Sequence, residues 1–112
     1  MKDCIFCKII NNEIFSKRVY EDENIIIIND ANPIASKHYL LIPKRHYSQI
    51  FEQNESDSKI FSDAVKKIAE LKNELGLENG YRLVINQGDD AGQTVGHLHI
   101  HILGGEKLGW SK

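Results

Sequence analysis

The chain has 112 residues, of which 41% are hydrophobic and 27% are charged, and its formal net charge is -2. This length predicts one compact domain over residues 1–112 and leaves no room for a second domain of ordinary size. The balanced charge argues against binding of long nucleic acid, and no apolar run approaches the roughly 18 residues of a membrane span.

The N-terminal segment carries both cysteines of the chain, Cys4 and Cys7, in a Cys-x-x-Cys motif. A short helix is predicted over residues 4–14, because four apolar residues recur there at helical spacing: Ile5, Phe6, Ile9 and Ile10. The segment lacks the small-residue cleavage site of a signal peptide, so a cytoplasmic protein with reduced thiols is expected. Three interpretations of the cysteine pair remain open: two small core residues, a redox dithiol, or half of a zinc site.

Three strands are predicted in the first half of the chain. Residues 19–21 and 25–30 are rich in β-branched and aromatic residues and are separated by the polar turn EDEN, which predicts a hairpin. A turn at Asn32-Pro33 precedes a third strand over residues 37–44. Pro43 lacks an amide hydrogen and is therefore expected at the end of that strand or on an unpaired edge.

Polar residues near these strands are the first candidates for a site. Asp30 lies at the turn-ward end of its strand, where an aspartate by default binds nearby backbone amides. His38 begins the third strand and His46 follows it. The other three of the five histidines lie together near the C-terminal end of the chain, so no histidine falls on the long helix predicted between the two regions.

The long helix is predicted over residues 56–75. Its apolar residues keep near one face, which is typical of core packing: Ile60, Phe61, Ala64, Val65, Ile68, Ala69 and Leu75. Residues 56–58 offer serine caps, and Gly76 supplies the C-terminal stop. Strands over 81–86 and 95–103 complete an α+β fold with an antiparallel sheet of about five strands, one long helix and one short N-terminal helix.

A glycine-rich loop joins the last two predicted strands. Gly88, Gly92 and Gly96 are spaced four apart, which matches neither the dinucleotide-binding fingerprint nor a P-loop. An ordinary hairpin loop would explain them. Alternatively, Gly92, Gln93 and Thr94 could bring backbone amides, a side-chain amide and a hydroxyl to phosphate oxygens.

The most specific stretch of the chain is HLHIHIL, in which His97, His99 and His101 alternate with apolar residues. This period predicts a half-buried strand with one apolar face and one imidazole face. His97 and His101 would lie roughly 13 Å apart along such a strand, so one metal ion could not bind all three rings. The three histidines therefore need separate roles, and a neutral imidazole is able to act as a nucleophile or a base.

This stretch resembles the signature of the histidine triad family of nucleotide hydrolases and transferases. The resemblance continues backwards through Asn86 and the loop GDDAGQT, and forwards through Leu103-Gly104-Gly105 to Trp110. It also includes the N-terminal segment and residues 30–46, so it covers nearly the whole chain. The Cys-x-x-Cys pair, Gly104-Gly105 and Trp110 resemble the nucleoside phosphoramidase-like branch, which implies purine nucleoside phosphoramidates of the nucleotidyl-lysine type as substrates.

The resemblance implies a mechanism for these residues. His99 would attack the α-phosphorus of the substrate and form a covalent nucleotidyl-histidine that water then hydrolyses. His101, paired with His38, would shape the charge around the phosphate, and Thr94 would stabilise the transferring phosphoryl group. The implied nucleotide-binding set consists of an apolar base pocket, a ribose ligand and phosphate ligands: Phe6, Ile9, Ile28, Asp30, Asn86, Gly92, Gln93, Thr94, His99 and His101.

The resemblance also implies a structural Zn2+ ion and a homodimer. In the zinc-binding branch of the family, the residues matching Cys4, Cys7, His46 and His97 form a closed Cys2His2 site, which has no open position for a substrate. Trp110 matches an aromatic residue that reaches the active site of the partner subunit.

Several alternatives remain open at this stage. Within the family, the chain could be a dinucleoside polyphosphate hydrolase or a nucleotidyltransferase. Outside that mechanism, it could be a non-catalytic nucleotide-binding module. It could also be a metal-dependent hydrolase or oxygenase that uses His97 and His99 together with Asp30 or His38 as ligands.

Overall fold

Five antiparallel strands form one sheet at the centre of the computed structural model, which describes residues 3–110. The strand order is β1-β2-β3-β5-β4, with β1 Arg18–Glu21, β2 Ile25–Asn29, β3 Lys37–Pro43, β4 Tyr81–Val84 and β5 Ile100–Gly104. Two α-helices accompany the sheet, α1 Ile5–Ile10 and α2 Glu55–Glu70, with short 3-10 turns at Ile50–Glu52 and Asp89–Ala91. The α+β prediction is confirmed. The domain predicted over 1–112 includes two residues at each end that lie outside the described part.

The sheet separates two apolar cores, because successive side chains of a strand point to opposite faces. One core lies on the face covered by α2 and includes Ile27, Leu41, Ile68, Ile100 and Ile102. The other lies on the face covered by α1 and consists of Phe6, Ile9, Ile26, Ile28, Leu40 and Ile42. Leu40 pairs directly with His101, and directly opposed residues share a face. The imidazole of His101 is therefore on the α1 face of the sheet.

Helix α1 is shorter than the predicted range of residues 4–14. Cys4 is its N-cap residue, and the helix ends at Ile10 because Asn12 takes a left-handed conformation with φ of 63°. Asparagine tolerates this conformation better than most residues. The amide of Glu13 then turns back to the carbonyl oxygen of Lys8 at 2.8 Å. The Arg18 guanidinium also donates to the Ile9 carbonyl at 2.8 Å, which ties the end of α1 to β1.

Helix α2 begins and ends earlier than predicted. Its N-cap is Asn54 rather than a serine, and Asn54 and Asp57 form a reciprocal capping box with amide-to-oxygen distances of 2.8 and 3.1 Å. The helix ends at Glu70, after which the chain makes a series of tight turns. Gly76, with φ of 74°, ends those turns and not the helix itself.

Strands β4 and β5 are also shorter than the predicted ranges of 81–86 and 95–103. Strand β5 begins only at Ile100, which pairs with Leu41 of β3. Continued pairing would place Leu98 opposite Pro43, which has no amide hydrogen to donate. The amide of Leu98 instead donates to the carbonyl of Tyr47 at 2.7 Å. His97 and His99 therefore lie just before the sheet, and the predicted continuous strand of three histidines is wrong in this respect.

Pro43 is the last residue of β3, as its missing amide hydrogen predicts. Within residues 3–110, no helix is both long enough and apolar enough to cross a membrane.

The first prediction concerns Asp57, which is only 4% exposed at the start of α2. Its carboxylate accepts hydrogen bonds from the Arg45 guanidinium, with Nε to Oδ1 at 2.8 Å, and from the Asn54 amide. We expect Asp57→Asn to lower the free energy of unfolding by about 2 kcal/mol, because it weakens a cap and a charged hydrogen bond. Urea denaturation at pH 7 measures this loss.

The same variant has a predicted pH dependence. The hydrogen bond from Arg45 lowers the pKa of Asp57 below its ordinary value of 3.8. The carboxylate therefore stabilises the fold fully above that value, and its contribution is lost as the pH falls through the lower pKa of the folded state. The difference between the wild type and Asp57→Asn should shrink in acid. Asp63→Asn, which removes an exposed ion pair with Lys59 on the same helix, should change stability by less than about 0.5 kcal/mol. Equal losses in the two variants would contradict the role given to Asp57.

Candidate active site and adjoining cysteine–histidine cluster

All five histidines of the chain lie in one row of aromatic rings on the α1 side of the sheet. Phe6 of α1 is the only other ring in the row, which runs His46, His97, Phe6, His99, His101, His38 within the described part of the chain. Neighbouring ring centroids are 4.9, 5.9, 5.0, 5.1 and 5.2 Å apart in that order. The sequence prediction that the histidines belong to one site therefore agrees with their placement.

Cys4, Cys7, His46 and His97 form a cluster at one end of this row. The sulfurs of Cys4 and Cys7 lie 3.3 and 3.6 Å from Nδ1 of His97, and Nδ1 of His46 lies 3.2 Å from the same atom. The Cys7 sulfur is also 3.3 Å from Nδ1 of His46. Ligands of a tetrahedral zinc ion, bound at about 2.0–2.3 Å, are separated by roughly 3.3–3.8 Å. Four of the six distances among the predicted ligand atoms thus lie close to this range, and all six are within 4.8 Å.

The hydrogen bonding of His97 fits the role of a metal ligand. Its Nε2 lies 2.7 Å from the carbonyl oxygen of Pro43, and the residue is fully buried. Because a carbonyl can only accept, Nε2 carries the proton and the lone pair on Nδ1 faces the two sulfurs. Burial, together with the neighbouring His46 and His99, lowers the pKa of His97 to about 4. The ring is therefore neutral at physiological pH, and a backbone carbonyl orients it in the way typical of metal-bound histidines.

The two cysteines are free thiols at the start of α1. Burial, followed by the neighbouring Cys4 sulfur, raises the pKa of the Cys7 thiol to about 11. Metal binding would oppose this effect, because a bound cation deprotonates a coordinating thiol. Of the three interpretations left open by the sequence, the zinc site is favoured, because both sulfurs converge with ring nitrogens of His46 and His97.

His99 lies next to this cluster but is bound differently. Its Nδ1 lies 2.7 Å from the backbone carbonyl oxygen of His97. The carbonyl can only accept, so a neutral His99 carries its proton on Nδ1 and has a lone pair on Nε2. The ring is half-buried and packs edge-on against Phe6. An imidazole in this tautomer is able to act as a nucleophile through Nε2.

A second hydrogen-bonded series sets the tautomers of His38 and His101. The amide of Ile34 donates to Nδ1 of His38 at 3.2 Å, so a neutral His38 carries its proton on Nε2. That nitrogen lies 2.9 Å from Nδ1 of His101 and donates to it. His101 consequently carries its own proton on Nε2. Burial, then the neighbouring His99 and His38, lower the pKa of His101, which favours this neutral form with one N–H donor.

Asp30, His38 and His101 form the second cluster of possible metal ligands in the described chain. One oxygen of Asp30 lies 3.4 Å from Nε2 of His38, and the other accepts from the Asn32 amide at 2.8 Å. Because Nδ1 of His38 already accepts from Ile34, a metal here would have to displace the proton of Nε2. This cluster is therefore better suited to holding protons than to holding a metal ion.

The alternative of a metal-dependent hydrolase required His97 and His99 as ligands of one ion. The structure places His97 in the cysteine cluster, whereas His99 belongs to neither group of possible ligands among residues 3–110. Nδ1 of His99 is bound to a carbonyl, which leaves only Nε2 for chemistry. The ligand set that this alternative needs is not brought together.

The residues predicted to form the base pocket lie on the same face of the sheet. Phe6, Ile9 and Ile28 pack in one cluster with Ile26, Leu40 and Ile42, and Val95 packs against its border. Their exposed fractions are only 7%, 6% and 3%. Phe6 contacts the ring of His99, and all three residues are nearly covered by protein. Val95 was not identified from the sequence, since one valine in a predicted strand has no distinguishing signal.

The glycine-rich loop is held in place by Gln93. The side-chain oxygen of Gln93 accepts from the Gly88 amide at 2.9 Å, and its nitrogen donates to the Ser48 carbonyl at 3.1 Å. The side-chain amide of Gln93, which was predicted to approach a phosphate, thus already forms hydrogen bonds within the protein. Gly92, with φ of 75°, and Thr94 are exposed, and Asn86 is half-buried just after β4.

Comparison with known proteins identifies close relatives of the whole chain. The sequence pattern of the HIT domain family matches residues 11–108. A protein of Chlamydia muridarum named an uncharacterized HIT-like protein is 46% identical over 105 residues, which span 94% of this chain and 83% of that protein.

Two solved structures show the same likeness. A HIT family hydrolase from Clostridium thermocellum is 47% identical, with a TM-score of 0.91 over 99% of this chain and 97% of its own. A zinc-bound histidine triad family protein from Mycobacterium smegmatis is 34% identical, with a TM-score of 0.80 over 92% of this chain and 75% of its own.

Proposed function

The chain belongs to the HIT domain family, and from this premise we propose that it is a hydrolase of purine nucleoside phosphoramidates that acts through a covalent nucleotidyl-histidine at His99. The observation that carries the proposal is the hydrogen bond of 2.7 Å from Nδ1 of His99 to the His97 carbonyl, which leaves Nε2 as a free nucleophile. The similar protein from Clostridium thermocellum is named a HIT family hydrolase.

In the first proposed step, Nε2 of His99 attacks the α-phosphorus and the P–N bond to the amine breaks. The amine leaves with the electron pair of that bond and takes up one proton from solvent, while the Nε2–H of the neutral His101 donates a hydrogen bond to the departing nitrogen. The hydrogen bond of 2.9 Å from Nε2 of His38 to Nδ1 of His101 keeps the proton of His101 on its far nitrogen. A positioned hydrogen-bond donor of this kind stabilises the charge that develops on the leaving group.

In the second proposed step, water attacks the phosphorus and the bond between phosphorus and Nε2 of His99 breaks. The water releases one proton to solvent, which balances the proton that the amine took up in the first step. The products are a nucleoside monophosphate and free His99, and His101 keeps its Nε2 proton throughout. The hydroxyl of Thr94, an exposed residue, would stabilise the charge on the phosphoryl oxygens. The amides of Ala91, Gly92 and Gln93 already donate to carbonyl oxygens within the loop.

The proposed nucleotide lies against the α1 face of the sheet. The edges of Phe6, Ile9 and Ile28 would contact the purine base, and Asp30 would accept from the ribose hydroxyls. Asp30 keeps free acceptor positions for this purpose, because a carboxylate has about four lone-pair sites and one oxygen accepts a single amide. Asn86 would support the loop that holds the phosphate.

We also propose that Cys4, Cys7, His46 and His97 hold a structural Zn2+ ion. The donor set is chemically suitable, because two sulfurs and two Nδ1 atoms converge at the spacing of a tetrahedral site. The zinc-bound protein from Mycobacterium smegmatis shares this fold. A bound ion would cross-link the start of α1, the segment after β3 and the segment before β5, and the closed ligand set would give it no direct role in the reaction.

The homodimer and the cytoplasmic location stay predictions. Strand β4 is at the edge of the sheet, and a second copy of the chain could extend the sheet there. Trp110 is 90% exposed and lies beside the Arg82 guanidinium of β4, at 5.4 Å from the ring centroid. An exposed tryptophan next to a free edge is consistent with the proposed contact to a partner subunit.

His99→Ala is expected to lower kcat by at least about 10³-fold, because it removes the covalent nucleophile. Binding of an unreactive nucleoside monophosphate, measured by calorimetry, should persist because the apolar face and the loop remain. Mass spectrometry of rapidly quenched wild-type protein should detect the nucleotidyl group on His99. His99→Gln retains a polar side chain of similar size and should be equally inactive. Activity of either variant within tenfold of the wild type would refute the assignment of the nucleophile.

The substrate class is tested separately. Adenosine or guanosine phosphoramidates should be hydrolysed with a kcat/KM at least about tenfold above that for a diadenosine polyphosphate, which corresponds to about 1.4 kcal/mol of transition-state binding. Both substrates should be measured on one preparation. An equal or reversed preference would assign the chain to the dinucleoside polyphosphate hydrolases and leave the role of His99 unchanged. Binding with no turnover of either substrate would instead indicate a nucleotide-binding module.

Protein prepared under reducing conditions should contain about one zinc ion per chain. Cys4→Ser and His46→Ala should each lose the ion and lower the melting temperature, because the free energy of zinc binding contributes directly to folding. Ile5→Ser changes a residue of the same helix that is 46% exposed and should retain zinc. Elemental analysis and thermal melting measure both quantities. Absence of zinc from the reduced wild type, even after the metal is added, would reject the site.

A further inference from the structure

We infer that the cysteine–histidine cluster positions the nucleophile, so that Cys4, Cys7 and His46 are positioning residues for His99. This inference rests on the proposed function and adds a role for the cluster beyond cross-linking the fold. The link is His97, which faces the cluster through its side chain and binds His99 through its backbone.

The position of the His97 carbonyl does not come from the sheet. Strand β5 begins at Ile100, so residue 97 lies outside the ladder of backbone hydrogen bonds. Its side chain is instead held on both ring nitrogens, by Pro43 on one side and by the cysteine–histidine cluster on the other. The adjacent amide of Leu98 donates to Tyr47. Release of the cluster would remove the contacts on Nδ1 and leave the carbonyl less firmly oriented.

Phe6 provides a second contact between the cluster and His99. It lies between Cys4 and Cys7 on α1, and its ring is 5.0 Å from that of His99 and 5.9 Å from that of His97. Helix α1 has only six residues, which is too short to be stable without tertiary contacts. Its start is held by the cysteines and its end by Arg18. The cluster therefore fixes both groups that flank the nucleophilic ring.

The chemical consequence follows from the tautomers of imidazole. The hydrogen bond to the His97 carbonyl keeps the proton of His99 on Nδ1 and keeps Nε2 free. When this acceptor moves, the proton is no longer confined to Nδ1 and the ring is free to rotate. Displacement of a reacting group by about 1 Å is able to lower a rate by about 10²-fold. Loss of the cluster should therefore affect catalysis as well as stability.

The experiment compares zinc-loaded wild-type protein with the double variant Cys4→Ser/Cys7→Ser and with His46→Ala. In nitrogen-15 NMR of histidine-labelled protein, the loaded wild type should show a slowly exchanging Nδ1–H signal for His99. This signal should disappear in both variants, and kcat should fall at least about tenfold at temperatures where all the proteins are folded. Chelation of zinc from the folded wild type should have the same effects, and added zinc should restore both.

A matched control separates positioning from general loss of stability. Ile68→Val removes one methyl group from the core on the opposite face of the sheet and should lower the melting temperature without contact to the site. It should retain the His99 signal and a kcat within about twofold of the wild type. A similar loss in Ile68→Val would overturn the inference.

Retention of the signal, or of kcat, in folded zinc-free protein would also overturn the inference. Should the double variant fail to fold, the chelation and zinc-return arm on the wild type decides the matter. Failure of the proposed function has a different signature, because the loaded wild type would then form no nucleotidyl-histidine while the NMR comparison would still report on the position of His99.

Discussion

The hydrogen bond from His99 to the backbone carbonyl of His97 is the constraint on which the rest of the site depends. It selects the tautomer in which Nε2 is free, and at 2.7 Å it also fixes the direction in which that nitrogen points. A backbone carbonyl in a regular strand normally accepts a hydrogen bond from an amide of the neighbouring strand. This one is available because β3 ends at Pro43, so that pairing with β5 starts only at Ile100. The end of one strand thus creates the acceptor that His99, the proposed nucleophile, needs.

The two faces of the sheet differ in whether the apolar core also contributes to the site. The face under α2 is an ordinary apolar core, in which Ile68, Ile100 and Ile102 are completely buried. On the α1 face the core and the site share residues, since Phe6 packs in the apolar cluster and also contacts His99. A substitution under α2 should therefore alter stability alone, whereas a substitution under α1 should alter stability and chemistry together. This separation makes the α2 core a suitable source of control variants.

The sequence pattern was sufficient to predict the five antiparallel strands and the two helices, and the resemblance to the family implied the four members of the cysteine–histidine cluster. It failed at the bounds of several elements, which depend either on a distant part of the chain or on a local backbone conformation. The start of β5 depends on Pro43, some sixty positions earlier, and α1 ends where Asn12 takes a left-handed turn. The groups that set the histidine tautomers are the Ile34 amide and the carbonyls of Pro43 and His97. Every residue type supplies such backbone groups, so they leave no signature in a sequence.

The ends of the histidine row are held by different ends of the chain. At Gly104 an added Cβ would lie 2.6 Å from a Leu77 side-chain carbon and 3.1 Å from the Gly80 carbonyl oxygen. Glycine is therefore needed at this position for packing, and its presence does not indicate a substrate class. The tail that follows places Glu106 where it accepts from the Ser36 hydroxyl at 2.8 Å. This contact secures the loop whose Ile34 amide sets the tautomer of His38. The C-terminal tail therefore supports the His38 end of the row, while the N-terminal helix supports the end formed by the cysteine–histidine cluster.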